Sequence, residues 1–430
     1  MTRSEGGRGA GAGTGRGSNS AQLRRYNERI VLQILRRAGE ASKADLARAA
    51  NLTNAAIGAI IQELARDGLI EEVGKRHDGG RGQPATMLRL AARGAFGFGV
   101  RLGRAGIETV LVDFSGRVIG RSAHDMILPV PDKAIDIIRR DIESLHELLS
   151  PVERRRITGI GLAQPFNLGA WLRELGLPAE NFKPWDEVDV AAALEKATRL
   201  PVFAENDGTA AAVAELFYGL GRHEDDFLYL FIGPAIGGGL ILHGDVVRGR
   251  TGNAADVAVM PVQPSRLASA PRPAGAWDIL LTRASLGALA RHLTPGTGLR
   301  PSRSDLEQAI ATGRVEVEEW LDDCIDALTP SVRASHALLD VPLVVVDCDV
   351  DGGLLQRLLA RLQADLEASA PEARSAPRVE RGSFGQDAGA LGAASLPMFF
   401  NFSPRAAILT GGNGSTAANG MIRTEEPLHT

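Results

Sequence analysis

The hydrophobic rhythm of the chain changes once, near Ala95, and that change limits the fold more than any other feature. Before it, apolar residues recur at helical spacing in three short runs and then fall into two strands; after it, short apolar strands alternate with helices. The pattern predicts an α/β protein in which a small helical domain precedes a larger alternating body. A chain of 430 residues is long enough for both. Its 2 cysteines, Cys324 and Cys348, cannot build a disulfide framework, and neither a signal-peptide core nor a long uncharged apolar run is present. A cytoplasmic protein with no membrane contact is therefore expected.

The front of the chain reads as a DNA-binding domain. Residues 1–20, rich in Gly, Ser and Arg, are expected to be a flexible basic arm, and residues 21–92 a folded unit. A first helix starts near Leu23, with Ile30, Val31, Ile34 and Leu35 on its apolar face and Arg24, Arg25, Arg29, Arg36 and Arg37 off it. Ser42 is a good N-cap for a second helix with Asp45 in its first turn, and Asn51-Leu52-Thr53 forms a turn before a third carrying Ile57, Ile60, Ile61 and Leu64. Leu69 to Val73 and Met87 to Leu90 then read as the strands of a wing around a glycine-rich basic turn, Lys75 to Gln83. The sum is a winged helix-turn-helix. A three-helix bundle that merely packs on the body is the alternative, and the basic wing argues against it.

Charge agrees with this division. The first 90 residues hold 15 basic and 9 acidic side chains, the rest 33 and 43, as expected when only the front meets a polyanion. Thr53 would cap the recognition helix, placing Asn54, Ala55, Ala56, Gly58 and Ala59 near base edges. Lys43, Arg48, Lys75 and Arg76 would lie on phosphates, and Arg81, among Gly79, Gly80 and Gly82, would enter a minor groove. Such domains commonly act in pairs, so an inverted-repeat operator and a homodimer or tetramer are expected.

In the body, strands are expected at 97–101, 107–113, 157–162, 201–204, 227–232, 240–242 and 343–346. Helices are expected at 134–149, 188–196, 210–220, 277–292, 304–311, 315–339 and 354–369. Gly233 to Gly239 reads as a loop, 385–398 as a final helix and 405–430 as a flexible tail.

Together these motifs resemble the ROK family of repressors, open reading frames and kinases. The resemblance is carried by Ser42-Lys43-Ala44-Asp45-Leu46-Ala47-Arg48, Gly79-Gly80-Arg81-Gly82-Gln83-Pro84, Glu205-Asn206-Asp207 and Ala388-Gly389-Ala390-Leu391-Gly392. It implies a two-lobed, actin-like body of sugar-kinase type over 93–404, with a lobe boundary near 212 and the final helix returning to the first lobe. It also implies a sugar site built from Gln164, Asn181, Asn206, Asp207 and Asp256. Asp207 falls where the kinases keep their catalytic base; an ordinary helix N-cap is the other reading of it.

Against the family pattern, several elements are altered. Where the kinases read Asp-x-Gly-Gly-Thr and handle ATP phosphates, this chain has Arg101-Leu102-Gly103-Arg104-Ala105. A second phosphate turn appears as Gly233-Pro234-Ala235-Ile236-Gly237, and a third, normally three glycines, as Asp347-Cys348-Asp349. The zinc-binding histidine is replaced by Val259. The resemblance thus implies a repressor of a sugar uptake or catabolism operon that binds DNA and a sugar or sugar derivative, with no cofactor, no metal and no catalysis. A sugar kinase with a DNA-binding extension and a ligand-independent DNA-binding protein are the alternatives.

Overall fold

The computed structural model describes residues 19–76, 84–169, 172, 182–296, 301–350 and 353–410. The front unit comprises α1 (Ser20–Ala38), β1 (Ala41–Ser42), α2 (Lys43–Ala50), α3 (Asn54–Arg66), β2 (Ile70–Arg76) and β3 (Ala85–Leu90). Its strands form a three-stranded sheet in the order β1-β3-β2. Val31, Leu32, Leu35, Leu46, Ile57, Ile60 and Leu64 fill its core.

Two five-stranded sheets make the body. The first joins β4 (Phe96–Gly103), β5 (Gly106–Asp113), β6 (Val118–Asp125), β7 (Ile157–Gln164) and β8 (Val202–Asn206) in the order β6-β5-β4-β7-β8. On its outer face lie α4 (Pro131–His146) and, between β7 and β8 in sequence, α5 (Val190–Thr198); Ile138, Ile142, Leu145 and Leu194 are buried there. The helix between the sheets, α6 (Asp207–Tyr218), leads to β9 (Phe227–Ile232), β10 (Ile236–Leu242) and β11 (Asp245–Val246). After α7 (Leu286–Leu293), α8 (Arg303–Ala311) and α9 (Val315–Leu339) come β12 (Leu343–Cys348), α10 (Leu354–Ala368) and β13 (Arg378–Arg381). The second sheet runs β11-β10-β9-β12-β13, so it repeats the first: an antiparallel meander extended by two parallel strands.

The last helix, α11 (Ala388–Phe402), packs on the first sheet while α6 packs on the second, and the two helices lie against each other. Small residues make this sandwich possible. A Cβ on Gly161 would run into the carbonyl oxygen of Ala393, and one on Gly392 would lie 2.8 Å from the Ala210–Ala211 backbone.

Several sequence expectations are corrected here. Gly237, Gly238 and Gly239 belong to strand β10, not to a loop, and their bare backbone lets α6 lie directly on the sheet: a Cβ on Gly239 would meet Ala212 and the Gly208 oxygen at 2.7 Å or less. No continuous helix covers 277–292; Asp278–Ile279 pairs with Pro261–Val262 as a two-stranded ribbon, and α7 begins only after Ser285, whose Oγ accepts from Ala288 N at 3.1 Å. The final helix starts at Ala388, after a 3-10 turn, and continues to Phe402. Residues 405–410 dock on the body, with Arg405 Nε 2.9 Å from Asp245 Oδ1; the remainder of the expected tail lies outside the described residues.

The front unit is seated on the inter-lobe layer, and its core and the α6/α11 core form one hydrophobic cluster. Three arginines of α1 bind the body instead of facing away from it. Arg29 reaches Ser403 O at 3.3 Å, Arg37 pairs with Asp225, and Arg36, buried, donates to Leu216 O at 2.9 Å and to Phe217 O while lying 4.2 Å from the Phe217 ring centre.

Candidate DNA-reading face and ligand cleft

Local hydrogen bonding sets the helix-turn-helix. Ser42 and Asp45 form a capping box: Asp45 N donates to Ser42 Oγ at 3.2 Å and Ser42 N to Asp45 Oδ2 at 3.1 Å. Asn51 closes α2 with a left-handed φ of 52°, and Thr53 Oγ1 accepts from Ala56 N at 3.2 Å to open α3. Asn54, Ala55 and Ala59 project into solvent, whereas Ala56 and Gly58 are half-buried. Gly58 faces α2, where a Cβ would lie 2.8 Å from Lys43 Nζ. This places the lysine ammonium across α3.

Arg48 and Arg76 share one carboxylate, lying 3.6 Å and 3.8 Å from Asp45. The Ser42 hydroxyl and N–H hold that carboxyl below its usual range, so it stays ionised and gathers both cations beside the start of α2. Lys75 is exposed on the wing; Arg81 lies outside the described residues. Sequence reasoning missed Gln62, exposed on α3 two turns beyond Ala55; its i, i+7 spacing from that residue was the available signal.

The cleft forms where β7 and β8 end side by side, Gln164 in register with Asn206, at the carboxyl edge of parallel strands. Gln164 Oε1 is buried with no hydrogen-bond partner among the described residues. Asn206, not Asp207, is the N-cap of α6: its Oδ1 accepts from Gly208 N at 3.0 Å. Asp207 Oδ1 accepts from the same N–H at 2.8 Å, and its Oδ2 has no hydrogen-bond partner among the described residues. From the opposite side Asn253 donates to Asp256 Oδ2 at 2.8 Å and accepts from Asn206 Nδ2 at 3.5 Å. Desolvation raises the pKa of Asp256, and the charge of Asp207 adds to it. Ala255, with φ of 60°, holds the strained turn that presents this aspartate.

Gln164, Asn206, Asp207 and Asp256 therefore gather at one cleft, while Asn181 lies outside the described residues. Asn253 was missed; its position three residues before Asp256 was the only clue. Such a set of acceptors and amide donors suits a polyhydroxylated molecule. Among the described residues no group of three or more His, Cys, Asp and Glu is placed to hold a metal.

The three segments that stand where the family's phosphate turns would be each make contacts within the protein. Arg101 lies over Gly389 of α11. The Gly233 and Pro234 carbonyls accept the N–H groups of Leu286 and Gly287 at 2.8 and 3.2 Å. Asp347 is fully buried, accepting from Tyr229 Oη at 3.0 Å and Gly385 N at 2.9 Å. Beside it, buried Glu215 accepts from Ser383 N and Oγ and from Leu220 N, so two carboxylates grip the segment leading into α11. Burial drives Glu215 up to about 7 and raises Asp347 as well.

A winged DNA-binding unit mounted on a duplicated, two-lobed sugar-kinase-type body defines a class of DNA-binding transcription regulator. The chain belongs to the ROK family, whose sequence pattern matches residues 97–398, and a winged helix-turn-helix DNA-binding pattern matches residues 24–71. An uncharacterised protein of Sinorhizobium fredii, y4fQ, is 28% identical over 379 residues, 87% of this chain and 91% of its own. The xylose repressor of Bacillus spizizenii is 22% identical over 61% of this chain and 67% of its own. A ROK-family transcriptional regulator, homologous to the MLC protein of Escherichia coli, superimposes with a TM-score of 0.65 at 23% identity, covering 91% of this chain and 98% of that one. Among the described residues no helix is long and apolar enough to cross a membrane.

Proposed function

We propose that this protein is a transcriptional repressor that releases or tightens on its operator when a sugar or sugar derivative enters the inter-lobe cleft. The observation that carries this reading is the placement of α6. Its first residue, Asp207, stands in the cleft, and its last turn supplies the carbonyls that Arg36 of the DNA-binding unit grips. A 12-residue helix is a rigid rod about 18 Å long, so closure of the lobes on a ligand shifts the seat of the DNA-binding unit. On DNA, Asn54, Ala55, Ala59 and Gln62 read bases, with Ala56 and Gly58 at the helix–backbone contact, and Lys43, Arg48, Lys75, Arg76 and Arg81 hold phosphates or the minor groove. The protein acts as a homodimer or tetramer on an inverted repeat.

Phosphoryl transfer is not part of this function. Asp207 keeps the base position, but the phosphate turns are filled by Arg101, by α7 and by Asp347. The test begins with selection of an operator from random duplex DNA, followed by anisotropy titration with a panel of sugars and an assay for ATP hydrolysis with the same sugars. A sugar that changes operator affinity at least fivefold, with no ATP turnover, is the expected result. ATP-dependent phosphorylation lost in Asp207→Asn would overturn it.

A further inference from the structure

Arg104 stands at the tip of the two-residue connection between β4 and β5, a turn pinned by Leu128 N donating to Arg104 O at 3.0 Å. Its guanidinium is held by two neutral carbonyls: Nε donates to Leu168 O at 3.0 Å and Nη2 to Asn167 O at 2.8 Å. Nη1 has no hydrogen-bond partner, and no carboxylate lies within ion-pair distance, among the described residues. Burial lowers its pKa, and the carbonyls that hold it follow Gln164 at the end of β7, which places the guanidinium at the strand edge where the cleft forms. Carbonyls orient a cation but do not neutralise it, and a half-buried charge without a counter-ion is unfavourable until one arrives. A planar fork locked on two sides with one amino group free is suited to an oxyanion.

Which oxyanion follows from the rest of the cleft. A nucleotide needs several phosphate anchors, and at the second and third turns Pro234 lacks an N–H and Asp347 presents a carboxylate. An anion carried by the sugar itself needs only one. Asp207 and Asp256 repel negative charge from their end, which orients the ligand with hydroxyls toward the carboxylates and charge toward the first lobe. Resting on the sugar-sensing reading above, we infer that the effector is an anionic sugar derivative, a sugar phosphate or a sugar acid, whose oxyanion is bound by Arg104 while its hydroxyls meet Gln164, Asn206 and Asp207.

Calorimetric titration of the full-length protein tests this with matched sets: glucose, galactose, mannose and xylose, their terminal phosphate esters, and their uronic and aldonic acids, with inorganic phosphate alongside. In the wild type at least one charged member binds tenfold or more tightly than its neutral parent, and the phosphate and carboxylate arms identify which oxyanion is recognised. The charged-to-neutral affinity ratio falls at least tenfold in Arg104→Gln and less in Arg104→Lys, which keeps the charge but not the fork. Equal binding of neutral and charged partners, or a ratio that survives in Arg104→Gln, overturns the inference and leaves the sugar-sensing reading standing. If no member binds, neutral or charged, both fall. Melting temperatures of the unliganded variants establish folding, and Arg104→Lys alone carries the comparison if Arg104→Gln does not fold.

Discussion

Replacing Arg36 with methionine keeps most of the side-chain volume and removes the charged donor that joins the DNA-binding unit to α6. The size of the effect follows from opposing contributions. Two hydrogen bonds from a charged donor are worth about 1.5–3 kcal/mol each, and stacking on the Phe217 ring adds roughly 1–2 kcal/mol. Against this, burial drives the guanidinium pKa down from its ordinary value to about 9, equivalent to about 5 kcal/mol. These terms nearly cancel and leave a net contribution to docking of about 1 kcal/mol, so the ratio of seated to unseated protein falls by roughly fivefold in the variant. Amide hydrogen exchange reads this directly. Exchange in the last turns of α1, around Ile34 to Ala38, accelerates by roughly fivefold, while that of β7 and β12 in the body cores stays unchanged. If α1 exchanges at the wild-type rate, Arg36 does not hold the unit in place and α6 loses its claim as the link between cleft and DNA.

Three further outcomes are expected. Gly161→Ala puts a methyl group into the Ala393 carbonyl at the centre of the β7–α11 contact, and thermal unfolding should show a loss of about 3 kcal/mol or more; a melting temperature within 2 degrees or so of the wild type would contradict the packing described. Glu215 has a native pKa of about 7 against an unfolded value of 4.5, so the native state keeps its proton longer and stability falls as pH rises through that interval. Between pH 5 and 8 this group alone removes roughly 2–3 kcal/mol, seen in urea denaturation; Asp347, also raised by burial, acts in the same direction, and Glu215→Gln flattens the slope without abolishing it. On a selected operator, Asn54→Ala weakens binding by about 1–3 kcal/mol and relaxes preference at one base pair, whereas Lys43→Ala weakens all sequences alike and lowers the salt dependence by about one ion.

What the sequence made legible was mostly local. The Ser42–Asp45 capping box, the Asn51 turn and the Thr53 cap are built from neighbours a few residues apart, and the structure shows each of them. The strand pattern was readable because alternation and buried runs are likewise short-range. Arg36 was misplaced because a helical wheel knows only its own helix; the Leu216 and Phe217 carbonyls that bury it come from 180 residues further along. The glycines at 237–239 were rightly read as a close approach of the backbone but assigned to a loop instead of a strand, and nothing in one strand's sequence reveals the helix laid on it. Between 277 and 292 helical propensity lost to tertiary pairing: Asp278–Ile279 joins Pro261–Val262, and Arg283 is drawn into a buried bridge to Asp323, 2.7 Å away. In the cleft, Gln164, Asn206 and Asp207 came from the family resemblance, while Asn253 sits in an irregular loop with no period to betray it.

The phosphate turns show why altered motifs are better treated as new contacts than as decay. Each departure read in the sequence has an occupant in the structure: Arg101 covers Gly389, the Gly233–Pro234 carbonyls cap the start of α7, and Asp347 ties β12 to the segment entering α11. These contacts join the lobes or stiffen one of them, as the proposed transmission from cleft to DNA-binding unit requires. An ATP-binding cleft needs those same positions empty, with free backbone N–H groups facing the phosphates. Restoring the glycine or aspartate at one turn therefore removes a structural contact there and leaves the other two turns as they are.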